Sequence, residues 1–180
     1  MTCAVNEMGL ESLPLLSSSY RQGRFVQLIG GCTLFACLLG IALDVVTANV
    51  AVEYFTVHHP RLIASQNPWA MALLWGVVAA WWAGALGGAF AAIVNEFRSS
   101  PLPPHQILRW VEVACVVLWG IMVLILVGIY FAAEMVPMEA RRESFESDRR
   151  LVAVAMAHQY EYWLGIVAAI VVGFKIWRAR

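Results

Sequence analysis

The sequence predicts an all-α, polytopic membrane protein whose four transmembrane helices form an antiparallel bundle. The first observation is composition: 61% of the 180 residues are hydrophobic and 13% are charged, whereas soluble domains average about 45–50% apolar and about 25% charged residues. The second is that four apolar segments each exceed the roughly 20 residues needed to cross a bilayer. Each segment must be helical, because backbone groups in lipid have to be hydrogen-bonded within the segment.

The predicted elements follow these segments along the chain. Residues 1–24 are polar and predict a cytoplasmic N-terminal tail, and residues 25–180 make up the transmembrane domain. Helices are expected at about residues 25–57, 69–96, 106–133 and 151–178. Asn67 followed by Pro68 favours a helix start at the second of these. The connecting loops are short, which favours antiparallel neighbours.

The placement of Lys and Arg near the helix ends predicts the orientation in the membrane. With the N-terminus inside, the cytoplasmic side carries Arg21, Arg24, Arg98, Arg109, Lys175, Arg178 and Arg180, and the outer side carries Arg61, Arg141, Arg142, Arg149 and Arg150. This bias favours an orientation with both termini in the cytoplasm. The formal net charge is zero, so the chain lacks the basic excess of a nucleic-acid-binding protein. The expected partner is the lipid bilayer, with a homo-oligomer or a larger membrane complex left open.

Small residues recur every four positions on the second and fourth predicted helices. Such rows let helix backbones approach closely in a membrane. The residues predicted to pack helices together are Gly76, Ala80, Gly84, Gly88, Gly165, Ala169 and Gly173.

Ionisable residues are expected to gather at the outer end of the bundle. The predicted polar cluster consists of Asp44, Glu53, His58, His59, His158 and Glu161. A carboxylate within a span costs about 2.5–3.5 kcal/mol on insertion scales, so Asp44 and Glu161 should face the bundle interior and find partners.

Three functions and one structural role are compatible with this cluster. A metal site would use His59, His158, Glu53 and Glu161, because His158 and Glu161 are three residues apart and share a helix face. A haem would be ligated by His158 with His58 or His59. Intramembrane acids also mark the paths of proton- or ion-coupled transport. The leading interpretation is a structural or accessory membrane protein in which the cluster fixes helix packing.

No hydrolase or phosphate-binding motif is present in the sequence, so no reaction, substrate or catalytic residue is predicted. Whether the chain is an enzyme stays open, and so does the identity of any cofactor.

One segment carries a resemblance. Glu53-Tyr54-Phe55-Thr56-Val57-His58-His59-Pro60 resembles a segment that follows the first helix in a group of uncharacterised bacterial four-helix inner-membrane proteins. The Trp- and Gly-rich second helix and the pair Ala157-His158 are similar as well. The resemblance implies the same four-helix architecture and a location in the bacterial inner membrane, and it points to His59 and His158. It implies no reaction type, because that group has no assigned activity.

Overall fold

The computed structural model describes residues 12–132 and 145–179, and the regular structure in these ranges is helical. The described chain forms α1 (Ser12–Val50), α2 (Glu53–Thr56), α3 (Pro68–Val78), α4 (Trp81–Glu96), α5 (Pro104–Ala132) and α6 (Phe145–Arg178). Parts of the sequence prediction lie outside the described residues: the tail residues 1–11, the end of the third helix at residue 133, the loop residues 134–144 with Arg141 and Arg142, and Arg180.

Within the described ranges, four helical segments are long and apolar enough to cross a membrane, judged by length and composition. They are Ser18–Val50, Pro68–Glu96, Pro104–Ala132 and Arg149–Arg178. The shortest has 29 residues, and at about 1.5 Å per residue such a helix exceeds the roughly 30 Å of a hydrocarbon core.

The first predicted helix differs from the observed one at both ends. α1 begins at Ser12, inside the segment predicted to be a tail. Pro14 does not prevent this, because proline is tolerated in the first turn of a helix. α1 ends at Val50 rather than near residue 57, and Glu53–Thr56 forms the separate helical turn α2.

The second predicted helix is divided into α3 and α4 at Ala79 and Ala80. The Ala80 N–H donates to Val77 O, three residues back, instead of continuing the four-residue ladder. Neither glycine nor proline occupies this break. The two helices still form one continuous apolar segment, since Gly84 N–H donates to Ala80 O across the division.

α1 lies at the centre of the fold and packs against α3, α4 and α5. The α3–α4 face that contacts α1 is a row of small residues. A Cβ at Gly84 would lie 2.7 Å from Cys32 O and from Thr33 Cα, so only glycine allows this approach. The row also contains Gly76, Ala80 and Gly88. Gly76 contacts Gly40 and Ile41, and Ala80 also contacts Gly40. Gly88 contacts Leu28 and Ile29.

The predicted packing row on α6 divides into two parts. Gly173 contacts the Phe90 ring of α4 and joins the two helices. Gly165 departs from the prediction, because a Cβ there would meet nothing within 4 Å. Gly165 and Ala169 instead line a cavity between α6 and the other helices, so these small residues leave space rather than bring helices together.

Polar contacts join the helices at two opposite ends of the fold. The arginine end is defined by Arg21, Arg24, Glu96 and Arg98. There Glu96 of α4 pairs with both Arg24 and Arg21 of α1, and Arg98 donates to Ile176 O at 2.6 Å.

A second contact at the arginine end fixes the loop between α4 and α5. The Asn95 side chain donates to Leu102 O at 3.0 Å and accepts from Leu102 N at 2.8 Å. Both residues are buried within an apolar cluster that includes Leu28, Ile107 and Ile176.

The other end is the histidine end, defined by Asp44, His59 and His158. Its apolar cluster joins α1, α5 and α6 through Leu43, Met122 and Val154. A second cluster beside it joins α1, α2 and α3 through Ala48, Phe55, Met71 and Trp75.

Candidate functional site

His158 of α6 makes two hydrogen bonds, one through each ring nitrogen. Its Nδ1 lies 2.9 Å from Val154 O, and its Nε2 lies 2.8 Å from Asp44 Oδ1 of α1. A carbonyl oxygen can only accept, so Nδ1 must carry a hydrogen and donate it to Val154. The ring therefore faces Asp44 with Nε2, and the two side chains link α1 to α6.

One proton lies between Asp44 and His158. If it resides on Nε2, the contact is an imidazolium–carboxylate ion pair, and if it resides on Oδ1, both groups are neutral. The net charge of the pair is zero in either case. Asp44 is 3% exposed, and a pair without net charge is the form that tolerates such burial.

The short helix α2 covers this pair with aromatic rings. The Tyr54 ring lies 4.7 Å from the His158 ring and 4.6 Å from the His59 ring, and Phe55 contacts both imidazoles from a second side. His59 also has its Nδ1 2.9 Å from Tyr54 O and its ring 4.7 Å from that of Trp75. Burial raises the pKa of the Tyr54 hydroxyl, so that hydroxyl stays protonated at neutral pH.

A large cavity begins at the Asp44–His158 pair. Its volume is about 750 Å³, and α1, α3, α4, α5 and α6 all contribute to its wall. The lining is mainly apolar and contains no Lys or Arg. Glu161, one turn along α6 from His158, also lines it and interacts electrostatically with both members of the pair.

The cavity opens to the surface between α4 and α6. The lining side chains Leu86, Ile166 and Ile170 are each more than half exposed. Near the pair, the gap is bridged by Trp82 and Tyr162, whose rings stack with centroids 5.9 Å apart. The site is therefore an apolar chamber with its polar groups at one end and an opening along its side.

The structure brings together only part of the predicted polar cluster. Asp44 and His158 are bonded, Glu161 lies beside them, and His59 joins through the rings of α2. Glu53 and His58 are exposed and turn away. The reason is the end of α1 at Val50, because α2 has its own helical phase and directs Tyr54 and Phe55 inward instead.

The metal and haem hypotheses do not fit these residues. Within residues 12–132 and 145–179 no group of three or more His, Cys, Asp or Glu side chains could hold a metal ion. Both ring nitrogens of His158 are engaged, by Val154 and Asp44. Glu53 is too exposed to complete the predicted set with His59, His158 and Glu161.

Proton- or ion-coupled transport would use a continuous path of ionisable groups, and the described residues do not form one. In the described residues Asp44, His158 and Glu161 belong to one end and Glu96 with its arginines to the other. The cavity wall between them is mainly apolar.

Several site residues were not predicted from the sequence. Trp75 and Trp82 suggest packing or lipid contact from their positions within a span, yet Trp75 contacts His59 and Trp82 stacks on Tyr162 at the cavity. The useful signal was the run Tyr54-Phe55 beside His58-His59, since aromatic rings next to histidines commonly pack against them.

Comparison of the chain with family models, curated proteins and solved structures gives no match. The function must therefore be argued from the geometry of this site.

Proposed function

We propose that the chain is an integral protein of the bacterial inner membrane, an antiparallel four-helix bundle with both termini in the cytoplasm. Its support is the four apolar segments and the contacts between α1 and α3–α4. Ile29 meets Gly88, Thr33 meets Gly84 and Ile41 meets Gly76. Residue numbers therefore increase along α1 in the direction in which they decrease along α3–α4, as expected for antiparallel neighbours. Likeness to the bacterial group with the Glu53–Pro60 segment is part of the same proposal.

Labelling of single cysteines tests this orientation. In a background in which Cys3, Cys32, Cys37 and Cys115 are replaced by serine or alanine, one cysteine is introduced at a time. The exposed positions Gln66 and Ser99 lie in loops at the histidine and arginine ends. A membrane-impermeant maleimide added to intact cells is expected to label Gln66→Cys, and Ser99→Cys only after lysis. The reverse pattern would place the termini outside, and equal labelling of both in intact cells would contradict the membrane assignment.

Within this bundle the proposed role is that of an accessory protein that binds a bilayer-soluble small molecule. The observation that carries the proposal is the cavity of about 750 Å³. Ligand sites are typically about 300–1,000 Å³, mainly apolar, with a few convergent polar groups. Voids larger than a water molecule are otherwise few in close-packed proteins. The Asp44–His158 pair fixes α1 to α6 at one end of the chamber and so preserves its shape.

The opening between α4 and α6 supports a ligand that arrives from the lipid. Leu86 and Ile170 at the opening are apolar and more than half exposed. An apolar molecule dissolved in the bilayer would reach the chamber without crossing a polar barrier. The proposal includes no catalysed reaction.

Filling the cavity tests the proposal. Gly165 lines the cavity and has space for a side chain, whereas Gly128 has the same space on the exposed surface of α5. Binding of the neutral dye Nile red to purified protein in nanodiscs is expected to weaken roughly tenfold in Gly165→Phe, equivalent to about 1.4 kcal/mol. Gly128→Phe should bind as wild type does.

Thermal unfolding of the two variants provides the control for folding. Both should unfold near the wild-type temperature, because neither new side chain meets a neighbour at its Cβ. Unchanged dye binding in Gly165→Phe would show that the cavity is not a binding site.

A further inference from the structure

Charge is distributed unevenly within the cavity. The Asp44–His158 pair has no net charge, because one proton serves both groups. Glu161 is different: none of the described residues forms a hydrogen bond or an ion pair with its side chain, and no Lys or Arg lines the cavity. An ionised Glu161 is therefore an uncompensated negative charge in an apolar chamber. An acid in such a place is a functional-site candidate because its burial is costly.

Aromatic rings line the cavity that Glu161 also lines. Trp82 and Tyr162 stack at the edge of the cavity, and Phe90 and Trp163 contribute to the same wall. The faces of aromatic rings carry partial negative charge and attract cations within about 6 Å of the ring centre. The acid and the rings thus favour the same sign of ligand charge.

From these observations we infer that the ligand of the cavity is a lipophilic organic cation, an ammonium or phosphonium with apolar substituents, and that Glu161 is its counter-ion. This inference rests on the proposed binding function. The apolar substituents would occupy the chamber, and the cationic centre would lie between Glu161, Trp82 and Tyr162. The Asp44–His158 pair would close the end of the chamber without adding charge.

Other ligand charges fit the cavity less well. An anionic head group would face Glu161 with no lysine or arginine to compensate it. A small inorganic cation such as Ca²⁺ takes about six to eight oxygen ligands, which this mainly apolar lining does not provide. A neutral molecule would fill the chamber but would leave Glu161 without a partner.

Two ions of nearly identical shape and opposite charge test the inference on the unaltered protein. Tetraphenylphosphonium and tetraphenylborate would each be titrated against Nile red bound to the protein in nanodiscs, with empty nanodiscs as the blank. The phosphonium is expected to displace the dye at a roughly 30-fold lower concentration, as loss of one member of a buried charge pair costs about 2 kcal/mol or more. Equal displacement, or stronger displacement by the borate, would overturn the inference.

A matched pair of variants tests the role of Glu161. Glu161→Gln keeps the shape of the side chain and removes its charge, and it should abolish the preference for the phosphonium while dye binding persists. Glu112→Gln is the control, because Glu112 is an exposed acid of α5 outside the cavity, and it should keep the preference. A preference that survives in Glu161→Gln would show that another group selects the charge.

The outcomes for the two proposals are distinguishable. If the dye binds in the cavity but the two ions displace it equally, the binding function stands and only the assignment of a cation is overturned. If Gly165→Phe does not weaken dye binding, both proposals are overturned. If Glu161→Gln does not fold, the comparison of the two ions on the wild-type protein decides the question alone.

Discussion

The two ends of the fold use opposite solutions for joining helices through polar groups. At the arginine end Glu96 is bonded to Arg24 and Arg21, and the Arg21 side chain is 65% exposed. At the histidine end Asp44 is hydrogen-bonded to His158, and the Thr47 side chain also interacts with its carboxylate. The Asp44 and His158 side chains are 5% and 12% exposed. The first contact is a network of three full charges in which Arg21 reaches solvent while Arg24 and Glu96 are 14% and 16% exposed, and the second is an enclosed pair that shares one proton.

This difference follows from the cost of burying charge. At the arginine end Glu96 is compensated by two arginines, and the exposed Arg21 keeps most of its hydration. A single charge removed from water loses several kcal/mol of solvation, so an acid and a base that remain neutral together are better suited to the interior. The ends should therefore respond differently to mutation and to salt.

The largest effect is expected from breaking the enclosed pair. Asp44→Ala leaves His158 Nε2 without a partner and should destabilise the protein by about 3–5 kcal/mol. Thermal or denaturant unfolding in detergent would measure the loss. Glu53→Ala removes an exposed acid from the same end and should change stability by less than about 0.5 kcal/mol.

A double substitution sharpens this prediction. When both members of a buried pair become apolar, no unpartnered group remains and the cost is small. Asp44→Leu with His158→Leu should therefore be more stable than Asp44→Ala alone. Equal loss in both would show that the contact contributes through shape and not through its shared proton.

An intermediate effect is expected from the neutral contact of the arginine end. Asn95→Ala removes both hydrogen bonds to the buried backbone of Leu102 and should cost about 1–3 kcal/mol, since buried polar groups are left unsatisfied. Asn49→Ala is the matched control, because Asn49 is exposed and bonds only to Val45 O within its own helix. The same unfolding assay should register little change for it.

The smallest effect is expected from the charged network. Glu96→Gln keeps a side-chain oxygen that can accept from Arg24 and should cost about 1 kcal/mol at low salt. Added salt should reduce the part of this difference that comes from the exposed Arg21. Stability of the wild type and the variant would be compared at low and high NaCl. An equally large, salt-insensitive loss would mean that this network is as enclosed as the Asp44–His158 pair.

The sequence predicted the fold well where a long stretch of the chain has a uniformly apolar composition. Four apolar segments of sufficient length were predicted, and the part of the chain that the structure describes contains four such helical segments. The ends and breaks were harder to place. α1 stops at Val50, and the second apolar segment divides at Ala79–Ala80 without glycine or proline. Breaks of this kind depend on tertiary contacts, which local propensity does not record.

The candidate site was likewise predictable within continuous helices and not across their ends. Helical phase within one continuous segment placed Asp44 inside the bundle, and the structure bonds it to His158. The helical phase of α1 does not extend beyond its end at Val50, and the sequence did not reveal that end. Glu53 and His58 were therefore grouped with residues that they do not contact. Gly165 illustrates a second difficulty: a small residue can allow close packing or leave space, and its identity alone does not distinguish these.

If the protein spans the membrane as proposed, the voltage across the bilayer acts very differently on the shared proton and on a bound cation. Between its two positions the proton moves within a 2.8 Å contact, less than about a tenth of the hydrocarbon thickness. A potential of 100 mV performs about 2.3 kcal/mol of work on a charge that crosses the whole membrane, so about 0.2 kcal/mol at most acts on this proton. A cation entering the cavity would carry a whole charge through the bilayer as far as Glu161. Voltage should therefore bias the loading of the cavity while leaving the pair that closes it almost unchanged.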